Sequence, residues 1–421
     1  KTIVPQVAVG IGAYDFPMNN NVFMSYMLQW INYVSNNNLT DKKDFYDFEK
    51  WENIFERWFQ SGKSFRKLDS IAGGKNEIFQ KWLDHPSHDE FWQKMIPHDK
   101  EFKKINIPIL TTTGYYDDDQ KGALYYLKEH YKYNKNANHY LVIGPYNHST
   151  AQSYPRNILY GYTLDSVARI SMNDLAYKWF DYVLKNKSKP EILKDKINFQ
   201  IMNTNKWVHV DKIENIYNDK INFYLNDNLE NPKSVFTKPN EKKYYLQIIY
   251  LKNREKKNKY YRSENDSIFI DDKTIVFESE KLLEDIIISG AFKGKLKVSV
   301  NKKDFDFSIK LMQIQPDGEF FNLSSFIGRA SYLENHSERN LLTPDKETIL
   351  PIENSTLVSK KIEKNSKLIL LVEVVFNKDN QVNYGTGKDV SEESILDANI
   401  PLEIKWYNES YIEIPLFKQK K

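Results

Sequence analysis

A carboxylate at Asp117 and an imidazole at His148 each follow an apolar run that ends in a turn. The first run, Ile105-Asn106-Ile107-Pro108-Ile109-Leu110-Thr111-Thr112-Thr113, leads through Gly114-Tyr115-Tyr116 to Asp117. The second, Tyr140-Leu141-Val142-Ile143, leads through Gly144-Pro145-Tyr146-Asn147 to His148. A carboxylate that orients an imidazole, with the imidazole as general base, is two thirds of a hydrolytic triad. Either residue alone reads as structural, Asp117-Asp118-Asp119 as a solvated turn or weak calcium site and His148 as a satisfied loop histidine. At successive strand ends, in the order acid then histidine, the pair reads as chemistry, with a serine expected upstream.

No serine in the chain is placed for that role. Gly62-Lys63-Ser64 is the nearest imitation of a Gly-x-Ser-x-Gly elbow, but it lacks the downstream glycine and follows a helical segment. It fails as a phosphate loop too, because Arg57 stands where the first glycine belongs. The other histidines (His85, His88, His98, His130, His139, His209 and His336) lack metal-ligand spacing, so a catalytic metal is not expected. Zero cysteines exclude disulfides, thiolate zinc sites and a cysteine nucleophile.

Groups at strand ends need a parallel sheet to carry them. Ile3 to Val9 reads as a buried strand ending at Gly10-Ile11-Gly12. From Tyr14 to about Lys104 the chain is aromatic and helical, with turns at Gly73-Gly74 and His85-Pro86. A helix after Asp117 puts Ala123, Leu124, Leu127 and Tyr131 on one face, and another from about Met172 to Leu184 buries Leu175, Ala176, Trp179, Phe180 and Val183. Strands alternating with helices predict an α/β layer. After about Asp195 short alternating runs take over, among them Ile197 to Met202, Tyr244 to Leu251 and Phe307 to Ile314, and these predict a β-sandwich or jelly roll. The 421 residues suit two or three domains. Sixty basic against 57 acidic residues give no electrostatic reason for a nucleic-acid or membrane-surface partner, and no apolar run approaches the roughly 18 residues of a membrane span.

The acid motif Ile107-Pro108-Ile109-Leu110 before Gly114-Tyr115-Tyr116-Asp117, and the histidine motif Leu141-Val142-Ile143-Gly144-Pro145-Tyr146-Asn147-His148, resemble those of one serine-hydrolase family. It is the CocE/NonD-type family of cocaine esterase, X-prolyl dipeptidyl peptidase, glutaryl acylase and the alpha-amino-acid ester hydrolases. The resemblance continues through Ala176-Tyr177-Lys178-Trp179-Phe180-Asp181, Gln315-Pro316-Asp317-Gly318, Arg329-Ala330-Ser331-Tyr332 and Asn383-Tyr384-Gly385-Thr386-Gly387, so it covers most of the chain. Asp84-His85-Pro86-Ser87-His88-Asp89-Glu90-Phe91-Trp92 resembles a cap motif of the ester-hydrolase and acylase branch.

This resemblance implies an α/β-hydrolase domain over residues 1–195, with a helical cap at about 14–104, followed by a jelly roll over 196–421. It implies a serine hydrolase that cleaves an ester or amide by acyl transfer, with Asp117 as triad acid and His148 as triad base, and no cofactor. The serine belongs on the order of 20 residues before Lys1-Thr2-Ile3-Val4-Pro5, so the chain is expected to begin just after its own nucleophile. Asp119, Tyr116 and Tyr146 are the implied substrate contacts. Asp119 matches one position of a carboxylate cluster that holds a substrate ammonium; Gln120 replaces the next acid, and Asn19-Asn20-Asn21 carries no charge where a cap-side acid belongs. Trp30, Trp51, Trp58, Phe59 and Trp92 read as cap core or as the lining of an acyl pocket. The expected partner is a small ester, an amide or a short peptide, and a homo-oligomer is compatible with it. The competing reading is a non-catalytic protein whose jelly roll binds a glycan or a protein beside a degenerate hydrolase domain; it needs neither Asp117 nor His148. The sequence leaves the compartment open.

Overall fold

Apolar, β-branched runs build the sheet that carries both candidate loops. In the computed structural model, which describes residues 1–12, 14–35, 42–226, 235–255, 258–263, 266–271 and 273–418, Ile109–Tyr116 pairs in parallel with His139–Asn147, which pairs in parallel with Ile197–Ile201. Lys206–Val210 closes this sheet antiparallel. The first two strands are buried nearly throughout, as parallel strands covered on both faces must be. The helix Gln120–Tyr133 joins them, burying Ala123, Leu124 and Leu127 as the pattern predicts.

Two features differ from the sequence expectation. The segment expected as a strand from Ile3 makes only two parallel bridges, Ile3 to Ile109 and Gln6 to Thr112. Pro5 has no N–H to give a ladder, and Val7, at φ 46°, turns the chain away. Ile197–Ile201, assigned by its alternation to the β-rich half, instead extends the α/β sheet, which therefore runs on to Val210. Its polar residues made it look half-exposed, yet both are buried: Asn198 donates to the Leu141 and Asp195 carbonyls, and Gln200 donates to Asp165.

The aromatic segment is a cap of short helices, chiefly Tyr26–Ser35, Phe48–Ser61 and Glu77–Leu83. Asp47 caps Phe48–Ser61 by accepting the Lys50 N–H, and Gly62 ends it in the left-handed region at φ 66°. Trp51, Trp58, Phe59, Phe65, Phe79 and Trp92 are buried together as its core, while Trp30 is half-buried. The β-rich half is two facing sheets, one built around Lys293–Val300, Leu402–Tyr407 and Tyr411–Leu416, the other around Asp306–Ile314 and Lys367–Val374. Phe305, Phe307 and Trp406 fill the space between them. Two of the motifs noted above tie these parts together. Ser87 of the cap bonds the Tyr332 hydroxyl at 2.8 Å, and Arg329 makes a bidentate pair with Asp306 at 2.8 Å within the β domain. Among the described residues no helix is long and apolar enough to cross a membrane.

Candidate active site

Asp117 lies in the turn after Ile109–Tyr116, its N–H donating to the Gly114 carbonyl at 3.3 Å. The strand register shifts between Gly114 and Tyr116, a bulge that re-aims the chain at this point. Gly114 is required there, because a Cβ would stand 1.9 Å from the Tyr146 carbonyl oxygen of the neighbouring strand. The Asp117 side chain has no exposed surface and collects three donors. The Thr113 hydroxyl donates to Oδ2 at 2.7 Å, and the Asp119 N–H and His148 Nδ1 each donate to Oδ1 at 3.1 Å.

His148 leaves the end of His139–Asn147, where Asn147 and Thr150 lock the turn by exchanging hydrogen bonds of 2.9 and 3.0 Å. A carboxylate only accepts, so we assign the proton to Nδ1 and the free lone pair to Nε2. The ring is 46% exposed, so a reactant can reach it. The hydrogen bond to Asp117 raises the His148 pKa above the ordinary imidazole range, against a smaller opposing effect of burial. This arrangement can accept a proton at Nε2 and hold the resulting imidazolium.

The remaining expected site residues divide. Asp119 stands with the pair, its Oδ2 3.3 Å from His148 Nδ1; burial, then the nearby Asp15 and Asp117, push its carboxyl up to about 8. Tyr116 lines a cleft of about 540 Å³ between the acid loop and the β domain, with Asp118, Tyr160 and Phe321 around it, and its hydroxyl donates to the Asn322 carbonyl at 3.2 Å. Tyr146 is placed apart from them. It is fully buried, its hydroxyl donating to the Ala168 carbonyl at 2.8 Å, so it supports the histidine strand from behind. Gln120 does not stand beside Asp119 as a neutral replacement for an acid: it is buried against the β domain. Asn20 and Asn21 are turn residues at positive φ, engaged with Ile327 and with Pro86 and His336. Ser64 belongs to the cap, where its carbonyl accepts the Trp58 indole N–H.

Asp15 and Lys121 are residues that the sequence reading missed. The Asp15 carboxylate is buried and accepts the N–H groups of Gly10 at 2.9 Å and Gly122 at 2.6 Å, pinning the start of the helix behind the acid loop. Burial pushes Asp15 up to about 7 and Lys121 down to about 8. Lys121 donates to Asn19 Oδ1 at 2.7 Å. The strand-end rule that singled out Asp117 would have flagged Asp15 as well, three residues beyond Gly12. One oxygen each from Asp117 and Asp119 and a ring nitrogen of His148 lie within 4.8 Å of one another, the set among the described residues that could take a cation. Because Nδ1 already serves Asp117, binding a cation there and orienting the imidazole are competing uses of one atom.

Comparison with known proteins agrees with this architecture. Residues 1–150 match the family model of X-Pro dipeptidyl-peptidase (S15 family), and residues 214–357 match that of the X-Pro dipeptidyl-peptidase C-terminal non-catalytic domain. An aminopeptidase from the marine sediment archaeon Thaumarchaeota archaeon shares the fold at a TM-score of 0.77 and 18% identity, over 99% of this chain and 72% of that one. An alpha-amino acid ester hydrolase superposes at 0.73 and 16% identity, with the same two coverages. A CocE/NonD family hydrolase from Staphylococcus aureus does so at 0.62 and 13%, over 99% and 67%. No curated protein matches the sequence. On an α/β-hydrolase architecture, residues 1–150 are therefore similar to the S15 family, and residues 214–357 behind them are similar to the C-terminal domain described for X-Pro dipeptidyl-peptidases.

Proposed function

We propose that this protein is a serine hydrolase that cleaves an ester or amide bond, peptide bonds included, by acyl transfer, with Asp117 and His148 as two members of its triad and a serine upstream of Lys1 as the third. The observation that carries this reading is His148 itself, held at Nδ1 by a buried carboxylate with its ring open to a reactant. As the serine oxygen attacks the carbonyl, its proton passes to Nε2. When the tetrahedral intermediate collapses, the same proton goes to the leaving amine or alcohol, and water, activated by the same nitrogen, releases the acyl group. Backbone amides beside the serine stabilise the oxyanion. Tyr116, in the cleft wall, and Asp119, beside the imidazole, are the residues we assign to substrate contact; Tyr146 acts behind them.

The test is the intact mass of the full protein before and after a fluorophosphonate probe, with the modified residue located by peptide mapping. One adduct on a serine upstream of Lys1, absent in Asp117→Asn and His148→Ala, is the expected result. An adduct on Ser64, or none, overturns the assignment; the second outcome favours a binding protein with a hydrolase ancestry.

A further inference from the structure

The amide of Gln120, fully buried, spans the seam between the acid loop and the β domain. Its Nε2 donates to the carbonyls of Gly114 at 2.9 Å and Tyr115 at 3.2 Å on one side, and of Leu357 at 2.8 Å on the other; its Oε1 accepts the Leu357 N–H at 2.6 Å. The Gly114 carbonyl is the one that also accepts the Asp117 N–H. The far end is fixed independently. Thr356 N–H donates to the Ser325 carbonyl, Ser325 N–H donates to Thr356 Oγ1, and Leu357 leads straight into Val358–Ile362, paired with Ile286–Gly290. A sheet of the second domain thus grips the peptide groups from which Asp117 is aimed at His148.

We propose that Gln120 is a positioning residue through which the C-terminal domain, of a type described as non-catalytic, sets the Asp117–His148 hydrogen bond. This rests on the reading of Asp117 and His148 as a catalytic pair. Gln120 touches neither substrate nor reacting atoms; it acts through the carbonyls that fix the turn.

The measurement is an NMR titration of the His148 ring, assigned by its loss in His148→Ala, in the wild type and in Gln120→Met, which fills the space without hydrogen-bonding across the seam. In the wild type His148 should titrate above the ordinary imidazole range. In Gln120→Met the pKa should fall back toward that range while thermal unfolding stays cooperative. Should the methionine variant not fold, Gln120→Asn, which keeps the amide but is one methylene too short to span the seam, is read the same way. A raised wild-type value that either folded variant leaves unchanged overturns the positioning role alone. An ordinary wild-type value overturns the catalytic pair beneath it.

Discussion

His148 must be neutral at Nε2 to take a proton, and its hydrogen bond to Asp117 postpones that neutrality to higher pH. The acid limb of kcat/KM is therefore expected above the ordinary imidazole range. Asp117→Asn should move the limb to lower pH and cut the rate by about 10⁴-fold, since the imidazole loses both its orientation and its counter-charge; a pH–rate series on both proteins checks this. Asp15 behaves in the opposite sense to a typical paired acid. Its folded value of about 7 lies above its ordinary 3.8, so between those values the folded state holds a proton that the unfolded state has lost. Stability falls as pH rises through that window, by on the order of 4 kcal/mol at most. Asp15→Asn should flatten the decline of Tm with pH over the same interval. Asp117 and His148 were legible because each ends its own apolar strand. Asp15 stands past an expected strand too, but its role was not legible, because one of its partners is an N–H 107 residues away, at Gly122.

The helix Gln120–Tyr133 is seated by a contact between two glycines. A Cβ on Gly122 would stand 2.0 Å from the Gly10 nitrogen and 2.5 Å from Asp15 Oδ2. Alanine normally favours a helix over glycine by about 1 kcal/mol. Here the nearest obstacle is backbone, which cannot rotate aside, and overpacking of that kind costs about 1–3 kcal/mol. Gly122→Ala should therefore be net destabilising by up to about 2 kcal/mol, read as a lower urea midpoint. The helices and most strands of the fold were visible as periodic patterns. Ile197–Ile201 was misassigned because its period of two is shared by sandwich strands and by a buried strand whose polar side chains are bonded inside, as Asn198 and Gln200 are. In the cap, burial of Trp51, Trp58, Phe59 and Trp92 settles them as core, a choice that residue type alone left open.

Across the whole molecule, the cap is fastened to the β domain by Arg254. Its guanidinium lies 4.7 Å from the centre of the Phe59 ring, donates to the Phe59 carbonyl at 2.6 Å and bonds the Tyr384 hydroxyl. Arg66 of the cap adds ion pairs to Asp389 at 3.5 Å and to Glu392. Arg254→Ala removes a buried cation–π contact and two hydrogen bonds, about 2–4 kcal/mol together. The expected outcome is faster proteolytic cleavage inside the cap, at protease levels that leave the β domain intact; unchanged cleavage would show the cap to be held elsewhere. The order of the parts could be read from the sequence, but not the seams between them, whose partners carry no shared local pattern. One of these links has a consequence in time. Leu357 follows Gln120 by 237 residues, and at about 5–20 residues per second a ribosome needs about 10–50 seconds to go from one to the other. Throughout that interval the nascent acid loop exists without the contact that steadies it, so hydrolytic competence is expected to arrive with the β domain rather than with the sheet that carries Asp117 and His148.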